Sequence, residues 1–152
     1  MKKIKILLIV LTLLLVTGCN TGKSKEVKSM NDFYNIATEK EFVVSDNMAN
    51  YTVDYIKEAM IATVDGISLE MITYDSEDNA IKIQNEHIKS FTNRKSANAR
   101  IKKEKGKNYY KYSMISNGYY LVSNRVENTL IFTTTVLENK DKVDSVLDEL
   151  GY

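Results

Sequence analysis

One histidine, His87, and one cysteine, Cys19, bound the chemistry open to this chain. A zinc site or a Ser-His-Asp arrangement must draw on His87, and no second histidine or free thiol stands ready to join it. Metallohydrolase and serine-nucleophile chemistry therefore fit poorly, and neither a metal nor another cofactor is expected. Asp75, Glu77, Asn79 and Glu86 fall at positions 1, 3, 5 and 12 of a calcium-loop register. Position 6 is Ala80, where that loop needs glycine, and Ser76-Glu77-Asp78 reads better as the N-cap and acidic first turn of a helix. Glu70 with Asp75, or Asp46 with Asp54, are acid–base candidates that their spacing does not single out.

The remaining candidates are binding residues. On a wheel of 100° per residue, Gln84 and His87 share the stripe of Ala80, Ile81, Ile83, Ile88 and Phe91, which makes them candidates for the floor of a pocket. Tyr109, Tyr110, Tyr112, Tyr119 and Tyr120 lie on both arms of one expected hairpin, and Tyr110, Tyr112 and Tyr120 are candidates for a surface that stacks on sugars or a peptide. Beside them, Arg94, Lys95, Arg100, Lys102, Lys103, Lys105 and Lys107 crowd a stretch whose only acid is Glu104. It reads as an exposed basic connection, a solvated loop first, with anionic polymers or lipid headgroups as the alternative partners. Glycine-rich phosphate loops and nucleophile elbows are absent from the sequence.

The elements that must position these residues follow from periodicity. Ser29 with Asp32 opens a first helix carrying Met30, Phe33, Ile36 and Ala37, and Phe42-Val43-Val44 reads as a strand. The stretch from Asp46 to Thr52 has no apolar period and reads as a loop. Asp65-Gly66 and Asn117-Gly118 are hairpin turns between β-rich arms, and a third turn falls at Glu127-Asn128. A second helix runs from Ser76 to about Thr92, and a third carries Val143, Val146, Leu147 and Leu150 before Gly151. The expected fold is α+β: an antiparallel sheet of five to six strands with helices packed on it, in the order α-βββ-α-βββ-α.

The amino terminus is of another kind. Lys2, Lys3 and Lys5 precede an apolar run from Ile6 to Val16 of about eleven residues, too short for the roughly twenty that cross a bilayer and suited to an export signal. Val16-Thr17-Gly18-Cys19 closely resembles the lipobox of bacterial lipoproteins. That resemblance implies diacylglyceryl transfer to the Cys19 thiol and cleavage after Gly18. Residues 1–18 are then a signal peptide, 19–28 a lipidated cysteine and polar tether, and 29–152 one globular domain. A lipidated Cys19 leaves no disulfide, so packing alone must hold the domain. The formal net charge of +1 includes three leader lysines, so the mature chain has no global attraction for nucleic acid.

Together with Lys40-Glu41-Phe42-Val43-Val44, Glu70-Met71-Ile72-Thr73-Tyr74 and the ending Leu147-Asp148-Glu149-Leu150-Gly151-Tyr152, the lipobox makes the chain similar to small uncharacterised lipoproteins of low-GC Gram-positive bacteria. At the first of these junctions Lys-Gly-Phe is the commoner form. The resemblance implies a lipid-anchored domain on the extracytoplasmic face of the cell membrane, with membrane lipid as its partner through Cys19. The expected role is a noncatalytic envelope module binding a protein or a small ligand. The alternatives are a small enzyme using carboxylates near a pocket floored by Gln84 and His87, and an accessory subunit of a membrane complex.

Overall fold

Ser29 begins the first helix of the computed structural model, which describes residues 22–152; the expected signal peptide and Cys19 lie outside the described residues. The Ser29 hydroxyl accepts the Asp32 N–H and the Asp32 carboxylate accepts the Ser29 N–H, a reciprocal capping box that satisfies two donors otherwise orphaned. Helix α1, Met30–Glu39, ends in a left-handed residue, Glu41, at φ 68°. There the Phe42 N–H returns to the Ala37 carbonyl and the Glu41 N–H to that of Thr38. Strand β1, Val43–Asp46, follows, then β2, Ile56–Val64, and β3, Ile67–Tyr74. Asp65 and Gly66 both take positive φ between β2 and β3, as a type I′ turn requires.

Helix α2, Glu77–Asn93, starts on the Ser76 hydroxyl. Asp75 braces that cap by accepting from Asn79 and Ser76, so the calcium-register residues serve a helix start. Four strands follow: β4, Arg100–Lys105; β5, Tyr109–Ser116; β6, Tyr119–Val126; and β7, Thr129–Val136. Helix α3, Lys140–Leu150, closes on Gly151 at φ 80°.

The strands form one sheet in the order β1-β2-β3-β7-β6-β5-β4, antiparallel at every junction. The α+β class is as the sequence indicates, but the sheet has seven strands instead of five to six. The added strand is β4, within the stretch read as a basic connection. As an edge strand with all six residues exposed it needs no apolar alternation, and its charges deter further strand pairing.

Both faces are covered. Phe33 and Ala37 of α1 and Val143, Val146, Leu147 and Leu150 of α3 pack on Leu69, Met71, Val122 and Ile131. On the opposite face α2 lies over two separate apolar clusters, Ala80 with Ile72, Tyr74 and Leu130, and Phe91 with Tyr112, Met114 and Leu121. A large side chain so enclosed stabilises the fold by about 1.5–3 kcal/mol. Among the described residues the buried apolar core begins at Met30, so the chain from Cys19 onward retains all of it. A register shift between Ile56 and Glu58 turns Ile56 to the α2 face beside Ala59. Ile81, placed by the wheel in the apolar stripe, sits at its margin and is 36% exposed.

The segment read as a tether also departs from expectation. Residues 22–29 have no regular structure, yet Lys23 accepts from the Lys107 N–H at 3.0 Å and Asn108 clamps both main-chain groups of Lys25. Val27 packs against the core. A polar composition read as a free linker thus hides two specific side-chain-to-backbone bonds.

Glu41 supplies a stability test. A non-glycine residue in the left-handed region costs about 1 kcal/mol, and the Glu41–Lys142 pair at 3.1 Å is too exposed to offset it. Glu41→Gly is expected to stabilise the protein by about 0.5–1 kcal/mol in urea unfolding. An unchanged or lowered midpoint contradicts the reading.

Candidate functional site

The loop from Asn47 to Tyr55 crosses the α2 face of the sheet and is held there by Glu70. Its carboxylate accepts from the Asn47 amide and the Tyr51 hydroxyl, each at 2.5 Å. The loop's far end is fixed by the main chain, where the Asp75 N–H donates to the Tyr55 carbonyl at 2.9 Å. A cleft of about 270 Å³ remains between this loop and α2, walled by Tyr51, Tyr55, Tyr74, Ile83, His87 and Phe132. Tyr55 and Tyr74 stack at 6.3 Å, and the His87 ring lies 4.4 Å from that of Phe132, tilted by 53°. The walls are flat and apolar, with a few fixed polar groups, the usual make-up of a small-ligand site.

The polar groups of the cleft are held neutral or spoken for. Burial pushes His87 below its ordinary value of 6.5, so the imidazole is uncharged, and its Nδ1 lies 3.4 Å from the Ser123 hydroxyl. Burial, helped by the bond to Glu70, raises the Tyr51 hydroxyl well above the usual phenol range; burial does the same to Tyr74. Both phenols remain donors at any physiological pH.

Gln84, the companion of His87 on the α2 stripe, does not open into this cleft's lining. It is 3% exposed, and its amide donates to the carbonyls of Tyr110 and Ser123, both at 2.8 Å. The expectation of a shared pocket floor therefore divides: His87 lines the aromatic cleft, whereas Gln84 joins α2 to β5 and β6.

The tyrosine surface also divides, because a strand turns alternate residues to opposite faces. Tyr110 and Tyr112 face α2, where Tyr112 is 1% exposed and packs against Phe91 at 6.3 Å. Tyr120 belongs to the α1/α3 face and donates to Asp144 at 2.7 Å. Tyr120 pairs across the hairpin with Ile115, so odd positions of β5 accompany it and even ones do not. Tyr110, Tyr112 and Tyr120 line no common surface.

Tyr120 instead borders a second, charged cleft of about 250 Å³ between α3 and strands β4 to β6. Lys102, Glu104, Lys111, Lys140, Asp144 and Asp148 line it, and several are paired: Lys140 with Asp144, and Glu104 with the Tyr109 hydroxyl at 2.8 Å. Lys111 donates to the Tyr152 main-chain oxygen at 2.6 Å. The balance of opposite charges leaves this cleft without a dominant sign.

The carboxylate pairs raised by the sequence serve other ends. Glu70 holds the loop, Asp75 braces the α2 cap, and Asp46 accepts the Met48 N–H at 2.7 Å. Among the described residues no three histidine, cysteine, aspartate or glutamate side chains converge as a metal site would need. None of their helices is long and apolar enough to cross a membrane.

His87 predicts a pH dependence with a definite sign. Its folded pKa lies below the 6.5 of the free side chain, so as pH falls past that value the unfolded chain takes the proton first. Stability should decline as pH falls from neutrality through the free value of 6.5 and level off only below the lower folded value. His87→Leu is expected to flatten that window in urea titrations, and equal slopes for parent and variant would contradict it.

No protein-family model and no curated protein matches the chain. Among solved structures it is similar to a GTP binding regulator from Thermotoga maritima, at 16% identity, covering 88% of this chain and 96% of that one, with a TM-score of 0.48. Agreement so slight carries no role from that protein to this one.

Proposed function

We propose that the chain is a lipoprotein held on the extracytoplasmic face of a bacterial membrane, where it acts as a noncatalytic binding module whose aromatic cleft takes a small, flat-faced ligand. The basic start, the short apolar run and Val16-Thr17-Gly18-Cys19 support the anchor. Two acyl chains on Cys19 would hold the domain stably, since each buried methylene contributes roughly 0.8 kcal/mol.

The observation that carries the binding reading is the division of labour at Glu70. One oxygen of its carboxylate accepts from both Asn47 and Tyr51 and so holds the loop wall, and among the described residues no carboxylate lines the cleft itself. The walls that remain are rings: Tyr51, Tyr55, Tyr74, His87 and Phe132. Such surfaces stack on an aromatic or on the apolar face of a sugar, and rings already seated against the sheet lower the ordering cost of binding. An enzyme built on carboxylates above Gln84 and His87 finds less support, because Gln84 is committed to two main-chain carbonyls.

Indole and N-acetylglucosamine serve as probes of the two ligand types. Titrated into the 15N-labelled chain from Cys19, at least one is expected to shift the amides of Tyr51 to Ile56 and of Ile83 to His87. Tyr55→Ala should weaken that binding about tenfold, as loss of one stacking face implies. Shifts confined to other regions, or binding indifferent to Tyr55→Ala, would remove the cleft from the proposal. For the anchor, Cys19→Ser is expected to release the protein from the membrane fraction; retention equal to the parent's contradicts it.

A further inference from the structure

We infer that the anchored domain lies on its β4 edge, with the basic side chains that this strand carries on both of its faces against anionic lipid headgroups. The inference rests on the lipid-anchor reading and adds to it an orientation and a lipid partner.

The first observation is where the chain enters the fold. Lys23 and Lys25 are bonded to Lys107 and Asn108, in the turn between β4 and β5. The Lys25 ammonium reaches further, over the Tyr109 ring at 5.1 Å and to the Gly151 carbonyl. Gly106 makes the approach sterically open, since a Cβ there would meet the Lys23 carbonyl at 2.3 Å and a Tyr109 ring carbon at 2.0 Å. Gly22 lies against the same turn, where an added Cβ would sit 3.3 Å from the Lys107 nitrogen. Entry is thus fixed at the hairpin end, not left to a swinging tether.

The second observation is covalent reach. Only three peptide units separate Cys19 from Gly22, and a trans unit spans at most 3.8 Å, so the lipid-bearing sulfur stays within roughly 15 Å of Gly22. Acyl chains inserted at that distance bring the β4–β5 hairpin to the headgroup layer.

The third is charge. Arg100, Lys102, Lys103 and Lys105 on β4, followed by Lys107, are all exposed. Glu104, the single acid among them, accepts from the Tyr109 hydroxyl and keeps its charge, so the edge retains a net excess of four positive charges. At the opposite edge of the sheet β1 carries a single charge, the exposed Asp46, and Glu41 beside it is paired with Lys142. An anionic surface attracts the first edge and not the second, so the domain tilts toward β4. Each basic side chain brought to such a surface strengthens attachment by about fivefold, and the effect fades within a Debye length.

Cys19 is the only cysteine, so the chain from Cys19 can be coupled through its thiol to maleimide-bearing lipid. Hydrogen exchange is then followed on vesicles of phosphatidylglycerol with phosphatidylcholine and on vesicles of phosphatidylcholine alone. On the anionic vesicles, exchange across residues 100–107 is expected to slow at least fivefold, with Val43–Asp46 unchanged, and Lys102→Glu with Lys103→Glu should abolish the slowing. Because both substituted residues are exposed on an edge strand, the variant keeps its core. Equal exchange on the two vesicle types, slowing at Val43–Asp46, or slowing that survives the charge reversal would each overturn the orientation. Slowing on cell-wall protein extracts but not on lipid would assign the edge to a strand-adding partner and overturn it equally. The coupling is chemical, so it is independent of acylation in the cell: an unmodified Cys19 thiol in the mass spectrum of membrane-derived protein sinks the anchor reading alone.

Discussion

The Gln84 side chain decides how α2 sits on the sheet. Its amide donates to the carbonyls of Tyr110 on β5 and Ser123 on β6, and His87, one turn on, meets the Ser123 hydroxyl. Asn124 takes the Tyr112 N–H at 3.0 Å, so a third main-chain group of the same strand pair is met by a side chain. The Gln84 and His87 bonds form a polar seam between the two apolar clusters under α2, whereas Asn124 reaches the strand pair from the α1/α3 side, where it lines the charged cleft. Apolar packing is nondirectional and would let the helix slide along or roll over the sheet. A buried amide with two fixed acceptors does not, because leaving either carbonyl unpaired costs about 1–3 kcal/mol. With α2 so placed, Ile83 and His87 stand over Phe132 and Tyr74, and the aromatic cleft follows.

Two further groups tie the seam to the ends of the helix. Arg125, 8% exposed on the same face, bonds Glu77 in the first turn of α2 at 2.6 Å and the Glu127 carbonyl at 2.9 Å. At the other end Ser116 meets Ser96 and the Arg94 carbonyl. The helix is thereby pinned at start, middle and finish. The sheet order alone would allow a two-fold relation between β1–β3 and β5–β7. That axis would leave faces unchanged, whereas α2 and α3 cover opposite faces. The βββα order that recurs along the chain accordingly does not reflect a symmetry axis of the sheet.

Legibility in the sequence tracked how local the governing physics was. Asp65-Gly66 and Asn117-Gly118 were readable as hairpins because positive φ at both positions demands those residues, and the capping residues Ser29 and Ser76 act within one turn. The α2 stripe correctly placed Gln84 and His87 inward, as a period of 3.6 must. What the period could not tell is that one inward polar residue closes on backbone and the other on a cavity. Tyr51, Tyr55 and Phe132 escaped notice as site residues for a similar reason: the first two sit in an aperiodic loop, and the third faces them only through pairing of β3 with β7. The tyrosine hairpin misled because residue type was counted before strand parity; Tyr112 and Tyr120 differ by an even number yet lie on different strands whose register puts them on opposite faces. Strand β4 was invisible because an edge exposed on both sides carries no hydrophobic signature.

The seating of α2 rests on the Gln84 seam, and Gln84→Leu tests it, since leucine is of similar size and removes the amide with its hydrogen bonds. Urea unfolding is expected to show a loss of about 2–3 kcal/mol, with the His87 ring resonances displaced as α2 shifts over the sheet. A variant within about 0.5 kcal/mol of the parent, with His87 unmoved, would mean that apolar packing alone seats the helix and that the seam is incidental.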